Sequence, residues 1–118
     1  MPTKQETFDT VARHLLTQKA QSLLDDVGKT CAYRGTNGLK CAVGALLPDE
    51  LYHPSLEGTA AASRPVRPLL EQLGHCPLLC EELQSIHDNF EPANWPERLE
   101  TLAVEHGIST AVIDELAP

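Results

Sequence analysis

Apolar residues near the start of the chain recur at a helical interval. Phe8, Val11, Ala12, Leu15 and Leu16 stand at i, i+3, i+4, i+7 and i+8, one stripe of an amphipathic helix. Ahead of them Thr3 and Glu6 have capping-box spacing, in which the hydroxyl and the carboxylate each satisfy an amide that the first turn leaves free. The stripe fades from Lys19 to Ser22. The DDVGK stretch after Leu24 reads as a polar loop closed by Gly28.

From Thr30 the pattern changes. TCAYRG and LKCAV flank Thr36-Asn37-Gly38, and an Asn-Gly step between β-tolerant residues predicts a hairpin, with Asn37 and Gly38 both suited to positive φ. The second arm runs on into CAVGALL, an apolar run whose length leaves strand and helix both open. Pro48 ends it, and PDELYHP reads as a single helical turn bounded by Pro48 and Pro54.

Residues 55 to 64 are small and polar and read as a loop. Pro65 and Pro68 fit a helix in its first turn, which predicts a short helix from about Pro65 to Leu73 that stops at Gly74. Another begins near Pro77 and carries Leu79, Leu83, Ile86 and Phe90 on one face, until EPANWP breaks it. Pro96 opens the next, with Trp95, Leu99, Leu102 and Ala103 facing inward and Gly107 as its stop. Ser109 is placed to cap a last helix bearing Val112, Ile113 and Leu116.

These elements predict a mainly α fold: a compact helical domain of about four to five helices with one small β-hairpin near residues 30–43. With 118 residues, the chain fits a single globular domain spanning 1–118. Aromatic residues make up only 4%, so the core falls to Leu, Val, Ile and Ala.

Charge narrows the function classes. The formal net charge is −8, a balance that repels phosphate backbones and anionic lipid and argues against direct binding to nucleic acid or membrane. It suits a basic patch on a partner protein. The first residues have no apolar stretch resembling a signal peptide, and no later run approaches a membrane span. A cytoplasmic location is therefore expected, with Cys31, Cys41, Cys76 and Cys80 as thiols.

Those four cysteines are the candidate metal ligands. Cys76 and Cys80 share a helix face, with His75 beside them and His87 two turns on, while Cys31 and Cys41 flank the hairpin turn. Two such pairs drawn together would suit zinc, although neither spacing forms a CxxC knuckle, and buried thiols are the competing reading. Nucleophilic catalysis needs an activated thiol, a base and an orienting group. Cys76 with His75, or Cys80 with His87 and Asp88, supplies those residue types without a strained elbow or an oxyanion loop, so no catalytic residue is assigned. YRGTNGLKCAVG lacks the ending of a phosphate-binding loop. Arg34 and Lys40 are scarce bases in an acidic chain, and a hairpin presents them together with Tyr33 as a candidate partner-binding tip.

The segment CAYRGTNGLKCAVGALLPDELYHPSLEG resembles a group of short proteins from tailed bacteriophages and prophages. The shared string is Tyr-Arg-Gly, a turn, Lys-Cys-Ala-x-Gly, then Pro-Asp-x-x-Tyr and Glu-Gly. In this chain it is carried by Tyr33, Arg34, Gly35, Lys40, Cys41, Ala42, Gly44, Pro48, Asp49, Tyr52, Glu57 and Gly58. The later LQSIHDNF, with the Trp, Leu and HGI beyond it, is similar to the tail of the same group.

The resemblance implies a phage, a prophage or its bacterial host as source, and the host cytoplasm as location. It implies a non-enzymatic accessory role exercised by binding a host or phage protein, as in host takeover or counter-defence, with no cofactor. A metal-stabilised Cys/His module and a small Cys/His-dependent enzyme are the alternatives. Monomer and homodimer are both open.

Overall fold

The computed structural model describes residues 2–23, 32–35, 38–57 and 64–117. Among them the fold is mainly helical, with six α-helices: α1 (Lys4–Gln18), α2 (Ala42–Leu46), α3 (Arg67–Gln72), α4 (Pro77–Asn89), α5 (Trp95–His106) and α6 (Ala111–Leu116). Short 3-10 turns span Pro54–Leu56 and Pro92–Asn94.

Local chemistry sets most boundaries. Thr3 accepts the Glu6 amide and Glu6 accepts the Thr3 amide, closing the capping box that starts α1. Proline stands in the first turn of α3, α4 and α5, where its missing N–H costs no helical bond. Gly107, at φ +66°, ends α5 in the left-handed region that a Cβ disfavours. The end of α1 is less usual, because Lys19 adopts that conformation (φ 54°) and donates its amide to the Leu15 carbonyl.

The expected hairpin is not supported. Among the described residues no strand forms near it, and pairing there amounts to one antiparallel bridge between Arg34 and Lys40. Thr36 and Asn37 lie outside the described residues. The reason lies in where the amides go. Tyr33 and Arg34 donate their N–H groups to the Glu57 carboxylate, which leaves the Gly35 amide, bonded to the Leu39 carbonyl at 2.9 Å, to reach across the turn from these three residues. The second arm stops at Cys41, which caps α2: its sulfur accepts the Gly44 amide at 3.3 Å. The CAVGALL run is thus a helix, and it raises the count above the expected four to five. The loop read at 25–29 lies outside the described residues, as do residues 58–63.

Helix α1 packs on α2 and α6, and α4 packs on α2, α3 and α5. Two adjoining apolar clusters result. The larger joins Phe8, Val11 and Leu15 of α1 to Leu79 and Leu83 of α4, Trp95 and Leu99 of α5, and Val112 and Ile113 of α6. The smaller gathers Tyr33, Cys41, Val43, Leu47, Leu56, Val66, Leu70 and Cys80. Helices α2 and α4 feed both, Ala42 and Leu79 on one side, Val43 and Cys80 on the other. The approach is tight at Gly44, where a Cβ would lie 1.9 Å from the Tyr33 carbonyl oxygen.

Candidate functional site

Tyr33, Arg34, Asp49, Tyr52 and Glu57 form one polar knot. Glu57 is its hub: its carboxylate accepts the Tyr33 amide (2.8 Å), the Arg34 amide (3.1 Å) and the Tyr52 hydroxyl (2.6 Å). The Arg34 guanidinium lies 4.4 Å from the centre of the Tyr52 ring, pairs with Asp49 at 2.7 Å and donates to the Leu47 carbonyl at 3.3 Å. Burial and the neighbouring Glu57 carboxylate push the Tyr52 phenol up to about 12. Tyr33, Arg34, Asp49, Tyr52 and Glu57 are therefore brought together.

The three candidate partner-binding residues sit differently. Tyr33 is buried, Arg34 is half-buried against Tyr52 and Asp49, and Lys40 is half-buried. The backbone of Lys40 is held by α1: its amide donates to Gln18, and its carbonyl accepts from Gln18 and from the His14 ring.

A second network runs through α4 and joins His87 and Asp88, two of the candidate residues, to Gln84 and Ser22, which were not among them. Gln84 accepts the Val43 amide (3.0 Å) and donates to Asp88 (2.7 Å), whose same oxygen accepts His87 Nδ1 at 2.7 Å. The other ring nitrogen, Nε2, accepts the Ser22 amide hydrogen at 2.9 Å. An amide can only donate, so the neutral ring carries its proton on Nδ1. His87 is fully buried and stacks on Trp95, with ring centres 5.6 Å apart. The available signal was Cys80, Gln84 and His87 at i, i+4 and i+7, a polar stripe beside the leucines.

Asp88 and His87 have the geometry of a base and its orienting group, yet the nitrogen that would meet a substrate is filled by Ser22. The pair serves packing: it ties α4 to the segment that follows α1.

Of the thiols, Cys41 and Cys80 are buried in the smaller cluster and Cys76 is half-buried. Burial pushes Cys41 and Cys80 each up to about 12, the reverse of what a nucleophile or a zinc ligand requires. Among the described residues no group of three or more His, Cys, Asp or Glu side chains is placed to hold a metal. Cys31 lies outside them. His75 meets the Thr7 hydroxyl at 2.7 Å.

The outer surface differs in character. Leu78 and Val104 are the large hydrophobics left exposed among the described residues, on α4 and α5. The same two helices carry the exposed carboxylates Glu81, Glu97, Glu100 and Glu105. No helix of the described residues is long and apolar enough to cross a membrane. No protein-family model matches the chain, and comparison with curated proteins and with solved structures finds no match.

Proposed function

We propose that this chain is a small, non-enzymatic accessory protein of phage or prophage type that acts by binding a host or phage protein. The observation that carries the reading is the inward commitment of its reactive groups. Arg34, Tyr52 and Glu57 bond one another or nearby backbone, and His87, Asp88 and Gln84 bond Ser22 and Val43. Two of the described thiols are held protonated by burial. The outer surface of α4 and α5 carries the exposed carboxylates Glu81, Glu97, Glu100 and Glu105 together with Leu78 and Val104, a surface suited to a protein partner. The phage-like string supports the source and the class of job.

The test is chemical crosslinking and capture of the tagged chain in a bacterial host, followed by reconstitution of the captured pair from purified components. A stoichiometric partner that rebinds in isolation is the expected result. No reconstituted partner, together with rapid alkylation of Cys80 in the native state at neutral pH, would favour the enzyme reading instead.

A further inference from the structure

We infer that the groove between α4 and α5 docks a basic, amphipathic helical segment of a partner protein. The inference rests on the protein-binding reading above and names the surface and the chemistry it selects.

The groove is a shallow, open depression of about 240 Å³. Its floor is apolar, from Ile86, Phe90 and Leu102, and Glu82 and Glu105 line it from opposite helices. Glu82 is held by His106 at 2.9 Å, which fixes that wall. Arg98 also lines the groove, and its guanidinium lies 4.2 Å from the centre of the Phe90 ring, so the cation is anchored to the floor. Of the charged side chains in its lining, the carboxylates Glu82 and Glu105 stand against the single base Arg98. Leu78, one turn ahead of Glu82 on α4 and 62% exposed, gives an incoming apolar side chain something to cover beside the groove.

Charge complementarity selects the occupant. An apolar floor between carboxylate walls favours a helix whose leucine-like residues recur at i, i+3 or i+4 and i+7 and are flanked by Lys or Arg. An acidic or neutral segment would bring no compensation for the walls it desolvates.

The probe is an 18-residue synthetic peptide of that pattern, about 27 Å long as a helix, titrated into the isotopically labelled full chain by NMR. Binding should perturb Ile86, Leu102 and Glu105, and should weaken as salt shortens the screening length below about 10 Å. Glu105→Lys and Thr101→Lys, both in the lining, should each weaken it by about tenfold or more, and Glu50→Lys, in the turn after Pro48, by less than about twofold. Circular dichroism of each variant confirms that it is folded. Equal loss in Glu50→Lys would reduce the effect to bulk charge and overturn the inference. So would equal binding of a peptide with every base changed to Glu, no binding of the basic peptide, or concentration-dependent shifts of the groove residues without peptide, which would mark a second copy of the chain as the occupant. The two readings separate cleanly. A reconstituted partner bound equally by wild type and Glu105→Lys overturns the groove and leaves the binding function standing.

Discussion

Ser22 donates its amide hydrogen to Nε2 of His87, 65 residues further along the chain, and so joins the segment that follows α1 to the last turn of α4. The other ring nitrogen is engaged by Asp88, and the ring face rests on Trp95. Replacing His87 with Ala would orphan a buried amide and open a void beside Trp95. A loss of about 2–4 kcal/mol is expected in urea unfolding. NMR of the ring nitrogens should find the neutral form protonated at Nδ1; an Nε2–H ring would show that the Ser22 contact is absent.

Gly44 packs against the Tyr33 carbonyl with no room for a methyl group. Gly44→Ala should therefore cost about 3 kcal/mol or more, because backbone on both sides has to move. Gly38 is a useful contrast. A Cβ there meets nothing within 4 Å, and only the positive φ of 73° opposes it, so Gly38→Ala should cost about 1 kcal/mol. Similar losses at the two sites would mean that helix α2 does not lie against Tyr33 as described.

The elements legible in the sequence are those fixed by neighbouring residues. The capping box, the prolines that open α4 and α5 and the glycine that ends α5 act within one turn, and the leucine stripes mark the faces they bury. What was not legible depends on partners far along the chain. The hairpin signal at Asn37-Gly38 was overridden once Glu57 took the Tyr33 and Arg34 amides. CAVGALL was undecidable by period, and its helix is held by the Cys41 cap and by Gln84 from α4. Phe90, expected on the buried face of α4, is half-buried: its carbonyl accepts the Trp95 indole N–H and its ring carries Arg98. Tyr33, Arg34, Asp49, Tyr52 and Glu57 converge across 24 positions of chain, and nothing in their spacing indicated the Glu57 hub that joins them.

Burial sets an order of thiol reactivity among the described cysteines. Cys41 and Cys80, pushed up to about 12 within the smaller cluster, should label only as fast as the fold opens, while half-buried Cys76 labels first. Mass spectrometry of peptides after a short iodoacetamide pulse gives the order. Cys80 reacting as quickly as Cys76 would contradict the burial on which the non-enzymatic reading depends.

Burial also holds His75 below the ordinary histidine value of 6.5, beside the Thr7 hydroxyl. The unfolded chain then binds this proton more readily than the native one. Stability from this group is complete above about pH 6.5 and is lost as pH falls towards the lowered native value. Thermal melting at mildly acidic and neutral pH should show a smaller difference in His75→Gln than in the wild type. An unchanged difference would place the acid sensitivity elsewhere.

Tyr52 carries the opposite linkage at high pH. Its phenol is raised from 10.0 to about 12, by burial first and then by the hydrogen bond to Glu57. Between those values the native chain keeps a proton that the unfolded chain releases, so stability is complete below pH 10 and falls as pH rises through the window. Glu57→Gln removes the charge while leaving one oxygen to accept, so the Tyr52 titration, followed by phenolate absorbance, should move part of the way back. It also faces an amide NH₂ towards groups that are themselves donors. With the Tyr33 and Arg34 amides and the Tyr52 hydroxyl sharing one acceptor, a loss of about 1–3 kcal/mol should accompany the shift. A Tyr52 titration that stays near 12 with stability unchanged would show that Glu57 is not the hub of the knot.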